Sequence, residues 1–510
     1  MTADSKIKNY VFRAIVKRLL PKAVKINIFL LVFLVTALSI ITAPFSPAYS
    51  NPKSMDIVLV IDTSGSMKKT DPNNLRSEAS ELFISLLKEQ NSVALVTFDT
   101  TAKTLSGLHK LESEREQLLD RLNLITSVGE WTDLREAVSH SYQILKRSSE
   151  KEKAIILMTD GKMDLGKAGL DKEATAELLE ELIPAVRKKG IKIYTIAFTK
   201  FSDISFLKLI ALKTKGFFYL TEKDTDIHIT YTDIFNHMTS PETLPIEGYK
   251  FYVDMSVEEM TIVITKAYST ADVTLIMPDK LSQTFEKHPG DIKWSKASAY
   301  EMITVSKPMV GQWHIKYGAE KGNKVFIVTN LRLMTSMKKS VIKLDSEQEL
   351  KIWLQDGPPE TDKTGPAHFY GLGITAWTTL VDGEDVVPLI LNDEGSGYDK
   401  KADDGIFTSL LNPTMPGEYA LNIRVKGATF EREKKYSFYV PAKEQVQLEE
   451  LVDEIDQPEP VIEEKNEPPP EQPVEEIRWG WVFIRFFIIN VCLLIVVAGI
   501  VVFKKYKKTK

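Results

Sequence analysis

The chain has 510 residues, with 65 basic against 70 acidic side chains and a formal net charge of -5, long enough for several domains with their own cores. That balance excludes a nucleic-acid binder, which needs a basic face to neutralise phosphates. The single cysteine, Cys492, excludes a disulfide framework.

Lys6, Lys8, Arg13, Lys17, Arg18, Lys22 and Lys25 precede an uncharged apolar run, INIFLLVFLVTALSIIT. This is the order of an export signal, and Ala48-Tyr49-Ser50 fits the small-x-small cleavage pattern. Residues 1–50 are expected to be a signal peptide or an uncleaved N-terminal anchor. Either way, Asn51 onward is expected outside the cytoplasm.

From Met55 to Met238 short aliphatic runs alternate with amphipathic stretches. MDIVLVID, SVALVTFD, KAIILMTD and IKIYTIAF read as buried strands. LRSEASELFISLLKEQ, TDLREAVSHSYQILKR and DKEATAELLEELIPAVRKK carry apolar residues at spacings of three and four, which is the helical period. The alternation predicts a doubly wound, largely parallel α/β sheet that collects its ligand at the carboxyl ends of the strands.

Directly after the first strand comes DTSGSM, with oxygen-bearing side chains at Asp62, Ser64 and Ser66. Alone, such a run can simply cap a helix or make a turn. Two further oxygens stand at tips of the same sheet: Thr132 at the loop-to-helix junction of GEWTDLREAV, and Asp160 at the end of KAIILMTD. Hydroxyls and carboxylates converging from three loops suit a hard cation in octahedral geometry.

Together these three segments resemble the von Willebrand factor A domain and its metal-ion-dependent adhesion site. The resemblance covers about 55–238 and implies a Rossmann-like head. It also implies Mg2+ (or Mn2+ or Ca2+) held by Asp62, Ser64, Ser66, Thr132 and Asp160, with a partner protein's carboxylate completing the coordination shell. The segment before the threonine departs from the family, because Glu130 and Trp131 stand where small residues are common. Trp131 either packs on a neighbouring loop or faces a partner at the metal rim. Lys68, Lys69 and Lys162 either favour an acidic partner there or are merely solvated.

After Pro241 the pattern changes to short alternating strands punctuated by Gly, Pro and Asp. They predict a β-sandwich over 246–336 and a second, Ig-like one over 346–441. In the latter, NDEGSGYDKKADDGIFTS gathers Asp393, Glu394, Asp399, Asp403 and Asp404. It lacks EF-hand spacing, and is either a solvated loop or one stapled by Ca2+. DDGIFTSLL resembles loops of Ig-like domains that accompany A domains, including those of the calcium-activated chloride channel regulator family. Nothing here resembles that family's HExxH segment.

Residues 442–478 are rich in Glu and Pro, with thirteen acidic and three basic residues between Lys443 and Arg478. This composition predicts a disordered, extended stalk. A short amphipathic helix around 446–455 is the alternative for its first part. WGWVFIRFFIINVCLLIVVAGIVVF, residues 479–503, is long enough to cross a bilayer, and the lysines of 504–510 orient that end towards the cytoplasm.

Enzyme signatures are missing: the seven histidines are scattered, and no GxSxG or GxxxxGK[ST] is present. A Mg2+-dependent hydrolase would need a general base near the metal, and Glu130 is the only candidate there. The expectation is a membrane-anchored, non-enzymatic binding protein that presents a cation to a protein carboxylate, with no small-molecule substrate. The alternative is an envelope-assembly or chaperone-associated protein working with an ATPase complex.

Overall fold

The computed structural model describes residues 54–337, 341–357, 366–369, 371–381, 383 and 385–442. The signal segment, the acidic stalk and its alternative helix, the apolar span and the lysine tail lie outside the described residues. Among the described residues no helix is long and apolar enough to cross a membrane.

The head is a six-stranded sheet of β1 (Met55–Asp62), β2 (Ser92–Phe98), β3 (Ala102–Lys110), β4 (Glu152–Thr159), β5 (Ile191–Phe198) and β6 (Phe218–Thr221). Their order is β3-β2-β1-β4-β5-β6. All pairings are parallel except that of β2 with β3. Alternation along β1 builds two cores: Ile57, Leu59 and Ile61 face one layer of helices, and Val58 and Val60 face the other. Burying each such side chain contributes about 1.5–3 kcal/mol, which is why the central strands carry almost no polar residues.

The helices are α1 (Met67–Thr70), α2 (Leu75–Leu86), α3 (Leu111–Leu122), α4 (Leu134–Leu145), α5 (Ala168–Glu177), α6 (Ile183–Lys188), α7 (Ile204–Lys213) and α8 (Ile227–Thr239). Leu82, Leu118 and Ile234 put α2, α3 and α8 on the first face. Leu134, Val186 and Leu207 put α4, α6 and α7 on the second. The stretch predicted as one helix, DKEATAELLEELIPAVRKK, is broken by a π-helical turn at Leu178–Leu182. Pro184, which cannot donate its backbone nitrogen, stands in the first turn of α6, where a donor is dispensable.

Beyond the head the chain is all β. Two small sheets, one holding Lys250–Val253 and Gly311–Lys316 and the other Leu331–Thr335, Gln348–Asp356 and Ile406–Leu411, each accompany part of a nine-stranded sheet. That large sheet runs through both β-modules without a break. At its centre is a two-residue strand, Glu242–Thr243, which pairs with Phe326 and Ile327 on one side and Glu433 on the other.

The expected division at residue 336 is corrected by pairing. Leu331–Thr335 hydrogen-bonds to Gln348–Asp356 of the second module, so the chain changes module at Asn330. Between VFIVT and LRLMT only Asn330, at a bend, marks the point where the chain changes partner.

The head is bound to the first module by side chains. The Glu78 carboxylate accepts from Ser298 N at 2.8 Å and Ser298 Oγ at 2.6 Å. Buried His228 of α8 lies 2.9 Å from Thr265 Oγ1 through Nε2. The rings of Phe235 and Phe326 meet edge to face at 5.1 Å. Between the β-modules, fully buried Arg432 is ion-paired with Asp254 at 2.6 Å and also reaches Ser256 Oγ and Leu331 O.

Candidate metal centre

The site grows from the carboxyl end of β1. Asp62, wholly buried, ends the strand, and its Oδ1 accepts from Ser64 N at 2.7 Å. This turns DTSGS at the sheet top, leaving Ser64 buried and Ser66 exposed. Oδ2 of Asp62 accepts from Thr159 Oγ1 at 2.6 Å, fastening the tips of β1 and β4 together. Burial pushes the Asp62 carboxyl up to about 6, against the hydrogen bonds from Ser64 and Thr159, and the nearby Asp160 charge adds to the rise.

Asp160 follows β4, and its Oδ1 accepts from Ser66 Oγ at 2.7 Å. Thr70 Oγ1 donates to its other oxygen. Ser64 Oγ and Ser66 Oγ are 3.0 Å apart. An octahedral Mg2+ with bonds of about 2.0–2.1 Å places neighbouring ligand oxygens about 2.9 Å apart, so the two hydroxyls already have the separation of adjacent ligands. The donor set, three hydroxyls and two carboxylates, fits a hard divalent cation.

Thr132 comes from a third loop. Its backbone pairs with Asp164 through N to O and O to N bonds of 2.9 and 3.0 Å. A Cβ built on Gly161 would come within 3.2 Å of Thr132 Oγ1, so the hydroxyl lies directly against the residue after Asp160. Asp133 caps α4 by accepting from Glu136 N at 2.9 Å, which fixes the junction. All five predicted ligands are therefore on neighbouring tips of β1, β4 and the turn into α4.

Two supports escaped the sequence reading. The buried pair Arg76–Asp71, at 2.6 Å, joins the end of α1 to α2. Arg76 Nη2 reaches on to Thr126 O and Ser127 Oγ at 3.1 and 2.8 Å, tying the loop that delivers Thr132 to α2. Thr70 and Thr159 hold the two aspartates. Thr159 was findable as a hydroxyl next to a ligand at a strand end, whereas Thr70 required the return of α1.

Trp131 takes the packing role: it is half-buried, and a Cβ on Gly166 (φ +77°) would meet its Cζ2 at 2.7 Å. It therefore packs on the loop after β4. Glu130 and Lys68 are exposed. In the second β-module, one carboxylate oxygen each of Asp393, Asp399 and Asp404 lie within 4.8 Å of one another, with Asp399 buried. Glu394 and Asp403 are not part of that group. Asp399 accepts from Gly395 N at 2.6 Å, and Asp393 accepts from Asp404 N and Gly405 N.

The von Willebrand factor type A domain model matches residues 56–233. A second model, the hemicentin galactose-binding domain-like family, matches 237–330, ending where the chain changes module. The chain is similar to calcium-activated chloride channel regulator 3A-1 of Mus musculus, 25% identical over 78% of this chain and 46% of the relative. It is also similar to calcium-activated chloride channel regulator 4 of Homo sapiens, 22% identical over 76% and 43%. It thus spans about half the length of the curated relatives it matches.

Among solved structures, a von Willebrand factor type A protein from Catenulispora acidiphila aligns at TM-score 0.32 and 13% identity, over 60% of this chain and 63% of that one. BatB from Bacteroides thetaiotaomicron aligns at 0.30 and 16%, over 36% and 98%. Residues 56–233 form a von Willebrand factor type A domain.

Proposed function

We propose that this protein is a membrane-anchored, exported binding protein whose head holds a divalent cation, Mg2+ foremost, and offers it to a carboxylate of a protein partner. Ser64, Ser66 and Thr132 would hold the ion through hydroxyls, with Asp62 and Asp160 supplying the negative charge behind them. The bound ion would supply a compact double positive charge at the strand tips. The observation that carries this reading is the 3.0 Å spacing of the two serine hydroxyls with Asp160 at 2.7 Å from one of them.

The reading is of a binder and not a catalyst. Glu130, the one candidate base, is exposed, whereas Asp62 and Asp160 are buried. Export and anchoring rest on residues 1–50 and 479–510 of the sequence. We read the second β-module as an Ig-like sandwich and Asp393, Asp399 and Asp404 as a Ca2+-holding loop. Added Ca2+ should then slow proteolysis within Asn392–Ser409, and should not do so in Asp399→Asn.

The metal reading is tested by calorimetric titration of the full-length chain in detergent with Mg2+ and Mn2+, beside Ser64→Ala. Saturable binding that disappears in the variant is expected. Equal heats from the two proteins would sink the proposal, as would partner capture that is indifferent to EDTA.

A further inference from the structure

Two large apolar side chains stand out on the face that carries the metal ligands: Val128 is 74% exposed and Phe201 70%. Single exposed apolar residues are ordinary on protein surfaces, so their placement carries the argument. Gly129, next to Val128, bridges to Ser64 and donates its N to Thr63 O at 2.9 Å. Ser202, next to Phe201, donates Oγ to Thr159 O at 3.2 Å, and Asp203 N reaches Gly161 O at 3.4 Å. The backbone next to Val128 is therefore fastened to DTSGS, and the residues next to Phe201 to the segment around Asp160. The strand order β2-β1-β4-β5 puts them on opposite flanks of the ligand set.

The turn carrying Phe201 is strained. Thr199 has φ +81°, a left-handed conformation that a β-branched residue adopts at a cost. It is held there by its N donating to Thr221 O at 2.8 Å, and Phe201 N donates to its Oγ1 at 3.3 Å. The result is a turn that keeps the Phe201 ring in solvent beside the site.

Cations follow the ligand-bearing segments in the chain. Lys68 and Lys69 follow Ser66, Lys162 follows Gly161, and Lys200 lies with Nζ 5.8 Å from the Phe201 ring centre. All four are exposed, and none is in an ion pair among the described residues. Against them stand the exposed carboxylates of Asp164, on the loop of Lys162, and of Glu130, on the loop of Val128.

We propose that this rim selects the ligand as an extended acidic segment of a partner protein, in which the metal-seeking carboxylate has an apolar residue on either side. Val128 and Phe201 seat the two apolar residues, and the four lysines draw in the acidic chain around them. The inference rests on the metal-site reading above.

The test uses the full-length chain in detergent with Mg2+ and three dye-labelled peptides, each read against a micelle-only blank by fluorescence anisotropy. The first has a central Asp flanked by Leu and Phe within a Glu-containing sequence. The second has Ser at both flanks, and the third has Asn in place of the central Asp. The flanked peptide should bind about ten-fold tighter than the Ser-flanked one, and the Asn peptide should bind weakly. Phe201→Ser and Val128→Ser should each erode that preference while leaving Mg2+ titration unchanged. Lys68→Gln combined with Lys162→Gln and Lys200→Gln should flatten the dependence on salt.

If Mg2+ binds normally but the flanked and Ser-flanked peptides bind alike, or neither binds, the rim proposal is overturned and the metal site stands. Binding of the flanked peptide that persists in EDTA overturns it as well. Absence of Mg2+ binding removes the metal reading itself.

Discussion

Ser66 Oγ lies 2.7 Å from Asp160 Oδ1, although 94 residues separate the two in sequence. The contact exists because β1 and β4 are adjacent parallel strands whose carboxyl ends finish level. An ion at this point would take the place of hydrogen bonds that now hold the loops together, so binding and loop order should be linked.

Mg2+ is accordingly expected to raise the melting temperature of the head. A ligand at one hundred times its dissociation constant stabilises by about 2.7 kcal/mol. Differential scanning calorimetry of the full chain with Mg2+ and then excess EDTA should show the shift in the natural protein and none in Ser66→Ala. The same shift in both would mean that the ion acts elsewhere.

Gly129 is expected to be intolerant of a side chain. A Cβ there would sit 2.2 Å from Asp99 Cβ, so Gly129→Ala must displace the bridge to Ser64. Overpacking of this kind costs about 1–3 kcal/mol, and Mg2+ affinity should fall with it. Gly169→Ala, where nothing lies within 4 Å, is the control and should be neutral or slightly stabilising in the same unfolding assay.

The pair Arg432–Asp254 joins the β-modules with both side chains buried. Removing one member leaves an uncompensated buried charge, and Arg432→Met should cost about 3–5 kcal/mol. Adding Asp254→Leu should recover much of that loss. Urea unfolding followed by the fluorescence of Trp294 and Trp313 would read it, and a harmless single substitution would show that the pair is not what holds the joint.

Acid should weaken the head. Burial lowers His228 to about 4, partly opposed by a backbone hydrogen bond at Thr225. Burial, with Lys192 and Lys435 nearby, lowers His237 to about 3. Both folded values lie below the ordinary value of about 6.5, so the neutral rings stabilise fully above pH 6.5 and that stability is lost as pH falls through 6.5 towards 4. By pH 4 the loss is on the order of 3 kcal/mol for each ring. Thermal melts from pH 7.5 to 4.5 should show it, and His228→Gln should flatten the curve. Excess Mg2+ is needed throughout, because the raised Asp62 responds to acid in the opposite sense.

What could be read in advance followed burial. β1, β2, β4 and β5 are covered on both faces and therefore appear as unbroken aliphatic runs, with the ligands just past their ends. β3 is partly exposed and mixed in composition, AKTLSGLHK, and β6 has only four residues. The first lacks a steady alternation and the second is too short to be distinguished from a loop. The five candidate ligands were legible only as a set: Asp62, Ser64 and Ser66 share one short run, Asp160 follows a strand end, Thr132 stands at a loop-to-helix junction, and the family resemblance joined the three segments. The half-buried Trp131 left two roles open, which only the proximity of Gly166 resolved. The shared sheet was invisible for a different reason: Glu242–Thr243 has no periodicity at two residues, and one of its partners lies 190 residues downstream.

That short strand also determines where the molecule can be cut. A β-module started at residue 246, as composition alone would suggest, would lose Glu242–Thr243. The backbone groups of Phe326, Ile327 and Glu433 that pair with them would then be left bare in the middle of a sheet. Raw edges of this kind recruit other chains. Such a fragment would report its own clumping as though it were adhesion, so any piece used to study binding must keep the two residues that look most like a linker.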